Sequence, residues 1–294
     1  MAAAYNCVGV LAHPLRPQSF PVARQIAAYL NSRHVSSWVH TRWDEVEVAT
    51  QVEGADLVVA IGGDGAMLRA ARVCAPRGVP VLGINMGQLG FLTEIPGPDS
   101  WEETLAKVLA GDGWIEERMM IQASLMREEN LITSGEALND IVISRGAAPR
   151  TVALETYIDG DWTTTYNADA LIVATATGST AYALACGGPI LPPELRNILI
   201  VPVAPHLSME RPIVLSEGAT VEVVTALDNT TEIVLTVDGI NMGSVLPGDC
   251  IRVQASNHVS RFMRLRERHY FYRSLLDRLE PRVQVRSQPE SRQR

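Results

Sequence analysis

Lysine is almost missing from this chain of 294 residues: Lys107 is the only one, and every other strongly basic side chain is arginine. That excludes a P-loop, which needs GxxxxGK[ST], and a protein kinase, which needs a strand lysine. Any phosphoryl transfer must be organised without a lysine clamp. Lys107 itself sits in the helical pattern 102–109 and is expected at the surface. Cysteine is sparse: Cys7, Cys74, Cys186 and Cys250 are far apart with no CxxC pair, and six histidines show no HExxH spacing. Three of the four cysteines lie in apolar surroundings, so buried free thiols are expected rather than disulfides or a zinc site. No protein-held metal cluster is visible. A net charge of −8 argues against nucleic acid or an anionic membrane as the partner. No apolar run reaches the roughly 18 residues of a membrane span. Residues 1–6 lack the basic lead and apolar core of a secretion signal, so a cytoplasmic location is expected.

What is present fits a globular protein with room for two domains and a sizeable core, at 47% hydrophobic and 20% charged residues. The first third alternates strand and helix. Residues 7–12 read as a strand, Pro21 opens a helix whose Val22, Ile26, Tyr29 and Leu30 share a face, 57–61 is a buried strand, 66–73 a helix, and 79–84 another strand. Asp99 or Ser100 caps a helix through Leu109. Such alternation predicts a parallel sheet with crossover helices. From Trp114 the period drops to two, in short runs at 121–126, 137–144, 152–158, 163–166, 170–174, 198–203, 220–227, 232–237 and 250–255. Turn residues separate them, and helix is plausible only near 180–186. The fold class expected is therefore α/β plus all-β, a Rossmann-like parallel sheet over 1–110 followed by a β-sandwich over 111–267. A helix at 268–280 returns to the first domain, and 281–294 forms a polar tail.

Gly62-Gly63-Asp64-Gly65 stands directly behind one predicted strand and ahead of one predicted helix. Glycine lets backbone approach a bulky polar ligand, and a helix N-terminus offers unpaired N–H groups to phosphate. The bland reading is a tight turn, but the place, at the carboxyl end of a parallel strand, favours a site. A carboxylate is a weak base at neutral pH; phosphoryl transfer tolerates one, because the nucleophile's proton leaves late. The segment 85–92, Asn-Met-Gly-Gln-Leu-Gly-Phe-Leu, follows the next strand. Leu92 reads as core and Phe91 as a ligand-facing ring. Asn139-Asp140 breaks an apolar run, either as a bulge or as a holder of ribose hydroxyls. Asp169 precedes a strand, and Thr177-Gly178-Ser179-Thr180-Ala181-Tyr182, then Gly187-Gly188-Pro189, suit a nucleoside lying against backbone. The alternative for that stretch is a loop and short helix capped by Thr180.

Together, 62–65, 85–93, Asn139-Asp140, 168–189, 205–212 and Asp238-Gly239 resemble the NAD kinases, over most of the chain. The first motif is shared with diacylglycerol kinases, sphingosine kinases and phosphofructokinases; the 177–190 block is far more specific. The resemblance implies phosphoryl transfer from ATP, or polyphosphate, to the adenosine 2′-hydroxyl of NAD, at a site between two domains. It implies Asp64 as proton acceptor and Gly65 as the backbone facing the phosphates. Asn139 and Asp140 fall where the family holds the ribose, Thr180, Ala181 and Tyr182 where adenine lies, and Asp169 and Ala204 at the nicotinamide riboside end. Arg69 and Arg150 match positions that sometimes bind nucleotide, and Ala185 stands near the adenine, where serine is common. A divalent metal, Mg2+, carried with ATP, and a homodimer or homotetramer are implied too.

The departures are Asp140 for the family's usual Glu, Ala176 for proline, Ala170 for glycine, Ile240 for glutamine and a rearranged middle of 205–212. None touches Asp64, and an active enzyme is expected. A lipid kinase and a catalytically silent NAD or NADP sensor are the competing readings. Retained Asp64 speaks against the sensor, and the 177–189 block against the lipid kinase.

Overall fold

The structure is a computed structural model and describes residues 5–42, 45–87, 90–148, 150–272 and 275. Its first half is a parallel sheet built from β1 (Cys7–Ala12), β2 (Ser36–His40), β3 (Leu57–Ile61) and β4 (Val81–Ile84), in the order β2-β1-β3-β4. The helices are α1 (Ser19–Ser32), α2 (Glu45–Val52), α3 (Asp64–Cys74) and α4 (Trp101–Leu109). Every residue of β3 is buried because helices cover both faces of the sheet. On one face Val8, Leu57 and Val59 meet Ile26 and Leu30 of α1 and Leu105 of α4. On the other, Leu11, Val58 and Ala60 meet Val48 of α2 and Met67 and Ala71 of α3. From β1 the chain first steps outward to β2, then back past β1 to β3. That reversal opens a crevice at the carboxyl ends of β1 and β3, where open α/β sheets take their ligands.

The second half is antiparallel. Its elements are β5 (Trp114–Arg127), β6 (Asn130–Ala137), β7 (Asp140–Arg145), β8 (Val152–Ile158), β9 (Asp161–Ala168), β10 (Ala170–Thr175), α5 (Tyr182–Ala185), β11 (Asn197–Val203), β12 (Ile213–Ser216), β13 (Val221–Thr225), β14 (Ile233–Val237), β15 (Ile240–Val245) and β16 (Cys250–Arg264). One sheet runs β12-β11-β10-β7-β14-β15; facing it, β16 pairs with β13 and β5, extended by β8, β9 and β6. Ile121, Leu125, Ile141, Ile143, Leu154, Ile198 and Val253 fill the space between. Each such side chain, fully buried, contributes about 1.5–3 kcal/mol, so inward alternation fixes the register of these strands. Near its end β16 pairs in parallel with β4 through Phe262 and Val81. The parallel sheet and one layer of the sandwich are thus a single ten-stranded sheet.

Several expectations shift. β2, α2, β6, β12 and β15 carry weak or half-exposed patterns and were not expected. α1 begins at Ser19, two residues before Pro21, and Ser100 precedes α4 without a capping bond, its hydroxyl donating instead to Gly97 O. The predicted run at 137–144 is strand from Asp140 onward, in β7, but begins with a corner at 138–139, where β6 has ended at Ala137. All four thiols are free, but only Cys74 is buried; the other three are partly exposed. Lys107 is exposed and pairs with Glu103 at 2.7 Å. Helical backbone begins at Tyr270, and most of the expected helix at 268–280, with the tail at 281–294, lies outside the described residues.

Candidate active site

β3 delivers the chain to Gly62, whose N–H donates to Ile84 O at 2.8 Å and pins the turn to the end of β4. Gly63 is extended at the N-cap of α3, and Asp64 opens that helix with no side-chain cap. Gly65 is exposed, with open space where a side chain would be. The Asp64 carboxylate accepts the Phe91 N–H at 2.8 Å on Oδ2 and the Leu92 N–H at 3.0 Å on Oδ1. A carboxylate has about four acceptor sites, so two amides leave capacity for a substrate hydroxyl. A Cβ at Gly90 would overlap the Asp64 carboxylate, which is why glycine is needed there. Basic groups gather at the same edge. The Arg16 guanidinium donates to Met86 O at 2.9 Å. His13 is held below its ordinary pKa, by burial first and then by the charges of Arg16 and Arg69. Positive charge and a helix N-terminus together favour a polyanion over the glycine turn.

The corner at 138–140 is held by the carboxylate of the Asp238-Gly239 motif, to which the sequence assigned no role. Asp238 accepts three successive amides, Leu138 (2.8 Å) on Oδ2 and Asn139 (2.8 Å) and Asp140 (3.1 Å) on Oδ1, and returns its own N–H to Asp140 O at 2.9 Å. Burial pushes Asp238 upward in pKa, while those amides and the Arg72 charge pull it back. Asp140, 7% exposed, has no hydrogen-bonded partner for its carboxyl among the described residues. Burial first, then the Asp238 charge, raises its pKa to about 7. An acid kept close to neutral can donate as well as accept a hydrogen bond, which suits paired hydroxyls.

Asn139 O accepts the Thr175 N–H at 2.9 Å, and a Cβ at Gly178 would collide with that same carbonyl. The tight turn 175–181 is therefore folded directly onto the corner. Thr180 is not a helix cap: its hydroxyl donates to Thr177 O at 3.2 Å, and Ala181 is the residue before α5. The Tyr182 ring is 45% exposed, and its hydroxyl is held above its ordinary pKa by burial, with Cys186, Asp169 and Asp140 adding their charges. Asp169, at the turn between β9 and β10, forms an ion pair with Arg145 at 2.9 Å, and its N–H donates to Val203 O. Ala204, next in the chain, has φ +46 and is exposed, as is Ala185.

A buried ionic cluster runs between these two regions. Glu116 Oε2 accepts Arg264 Nε at 2.8 Å and Arg118 Nη2 at 2.9 Å. Burial would raise the Glu116 pKa; Arg118 and Arg264 hold it below the usual range. The Tyr270 hydroxyl donates to Glu116 and accepts from Arg118 at 2.7 Å.

Two groups of predicted site residues are thus assembled: Asp64 with the 90–92 loop, and Asn139-Asp140 with Thr180, Ala181 and Tyr182. Phe91 is joined to Asp64 through its backbone, while its ring lies 6.4 Å from that of Phe271. Arg69 stands five residues along α3, beside His13. Arg150 is exposed before β8, its N–H on Ala148 O at 2.9 Å. Asp238 was picked out only as part of a motif, with no role; Glu116, Arg118, Arg264, Arg145 and His13 were not expected at the site. Glu116 and Arg118 did carry a signal, as charges on an inward-facing phase of a strand.

A doubly wound sheet joined to a β-sandwich, with a glycine turn, one carboxylate and a hydroxyl-rich turn nearby, defines a nucleotide-binding protein of the phosphotransferase type. A family model described as the ATP-NAD kinase N-terminal domain matches residues 22–113, and one described as the ATP-NAD kinase C-terminal domain matches residues 138–265. The chain belongs to the NAD kinase family. It is 35% identical over 277 residues to an NAD kinase of Dehalococcoides mccartyi (strain CBDB1), covering 94% of this chain and 96% of that protein. It is 41% identical over 275 residues to one of Chloroflexus aurantiacus, covering 92% and 98%. Among solved structures it is similar to an NAD kinase from Archaeoglobus fulgidus in complex with ATP, with a TM-score of 0.71, 25% identity and coverage of 92% and 97%. Yeast NADH kinase complexed with NADH shares the fold, with a TM-score of 0.82, 23% identity and coverage of 98% and 91%.

Proposed function

We propose that this protein phosphorylates NAD at the adenosine 2′-hydroxyl, with ATP as donor and Asp64 as proton acceptor. The observation that carries it is the half-buried Asp64 carboxylate, held by the Phe91 and Leu92 amides in the glycine turn at the carboxyl end of β3. A bond forms between O2′ and the γ-phosphorus, the bond from that phosphorus to the β–γ bridging oxygen breaks, and Asp64 takes the hydroxyl proton as ADP leaves. Gly65 offers bare backbone to the phosphates, and Arg69 adds positive charge. Asn139 and Asp140 hold the adenosine ribose; Thr180, Ala181, Tyr182 and Ala185 line the adenine; Asp169 and Ala204 meet the nicotinamide riboside. Phe91 and Arg150 complete the nucleotide contacts. The site lies between a domain over 1–110 and a sandwich domain over 111–267, with 268–280 returning to the first.

Mg2+ enters with the ATP phosphates and screens their charge during transfer; polyphosphate is the alternative donor. Among the described residues no group of three or more His, Cys, Asp or Glu is placed to hold a metal. No helix of the described residues is long and apolar enough to cross a membrane. The location proposed is the cytoplasm, and the assembly a homodimer or homotetramer. The test is direct: purified protein with labelled ATP, Mg2+ and either NAD or diacylglycerol. Label in NADP is expected. Label in phosphatidic acid alone would overturn the reading in favour of a lipid kinase.

A further inference from the structure

The buried cluster under the crevice joins two points that the reaction must keep in register. At one end, Leu92 donates its N–H to Asp64 Oδ1 at 3.0 Å, and its C=O accepts from Arg264 Nη1 at 2.7 Å. A movement of Arg264 is therefore passed to the carboxylate through the backbone of a single residue. At the other end, Arg118 Nη1 donates to Thr177 Oγ1 at 3.1 Å, at the start of the turn that carries Thr180, Ala181 and Tyr182. Between them a single oxygen, Glu116 Oε2, accepts from both arginines, and Tyr270 closes the triangle. Arg264 is fully buried and Arg118 is 3% exposed. In such surroundings the groups hold each other tightly, because losing a partner leaves a charge without water. The loop side is stapled further: Glu94 accepts the Leu265 and Arg266 amides at 3.0 Å and pairs with Arg266 at 2.7 Å.

We propose that Arg118, Glu116, Arg264 and Tyr270 are positioning residues of the transfer reaction: together they fix the distance between the Asp64 carboxylate and the Thr177–Tyr182 turn. The proposal rests on the NAD kinase reading of the site. None of the four need touch substrate. Their work is to keep O2′, held from the sandwich side, within reach of a carboxylate held from the parallel-sheet side. Reacting groups displaced by about 1 Å can cost about a hundredfold in rate.

The test uses the full chain with NAD and Mg-ATP, following kcat, KM and thermal midpoint. Thr177→Val keeps the buried shape and removes the hydroxyl at one end of the cluster. The expected result is kcat about tenfold lower with KM for NAD within about threefold, and recovery of kcat to within about twofold in Thr177→Ser. Tyr270→Phe should lower kcat in the same sense, and the double variant Thr177→Val with Tyr270→Phe should fall no further than the worse single, because both cut one connection. Unchanged kcat in Thr177→Val overturns the proposal. So does a loss in Thr177→Ser as large as in Val, which would make the effect one of methyl packing, or a rise in KM alone, which would put Thr177 on the nucleotide. Absence of NADP from the unsubstituted protein is a different failure, and defeats the site reading itself.

Discussion

Replacing Asp140 by asparagine separates what this residue does for the ligand from what it does to the fold. The side chain is buried beside a second carboxylate, and its pKa rises from 3.8 to about 7, through burial first and the Asp238 charge second. A raised carboxyl pKa favours the protonated form in the folded protein. Its stabilising contribution is fully present below about pH 4, where the unfolded chain also holds the proton, and is lost as pH rises through about 7. The rise in pKa is worth about 4 kcal/mol across that window. Asparagine has nearly the same shape and no charge to bury. Urea unfolding of wild type and Asp140→Asn at pH 4.5, 6 and 8 should show the wild type losing about 3 kcal/mol relative to the variant across that range. NAD affinity should move the other way, since on the proposed reading the variant gives up a carboxyl that holds the ribose hydroxyls. Parallel stability curves for the two proteins, with no pH-dependent gap between them, would refute the reasoning.

Other outcomes follow from the same geometry. Gly90→Ala puts a methyl group into the Asp64 carboxylate, so kcat should drop about a hundredfold while the far-UV circular dichroism is unchanged. Asp238 sits at φ +46, a conformation that asparagine tolerates well. Asp238→Asn therefore isolates the loss of charge-assisted amide bonds. It should cost about 1–3 kcal/mol in denaturant unfolding and raise the Kd for NAD, because the Asn139-Asp140 corner loses its clamp.

Much of the fold was legible because its signals are local. Leu57–Ile61 with its glycine turn, the alternation of Val152–Ile158 and the continuous buried run of Ala170–Thr175 state their burial residue by residue. β2 and β6 were missed because half their residues face solvent, and β15 because Ile240 and its neighbours are exposed. The join of the two halves was not legible either. A single pairing, Phe262 with Val81, sits at the end of a strand whose visible pattern stopped at 255. The Asp64 turn and the Asn139-Asp140 corner could be picked out from glycine spacing and from acids in apolar runs. What holds them could not. Asp238 and Arg264 act on residues 98 to 172 positions away, and no local pattern announces such a partner.

The central claim is that one carboxylate takes the proton of the attacking hydroxyl. It is tested most directly by single-turnover formation of NADP from NAD and Mg-ATP, read with an NADP-specific dehydrogenase, in wild type and Asp64→Asn. The prediction is NAD binding within about threefold of wild type and a rate at least about a hundredfold lower. An Asp64→Asn protein that makes NADP at the wild-type rate would contradict it.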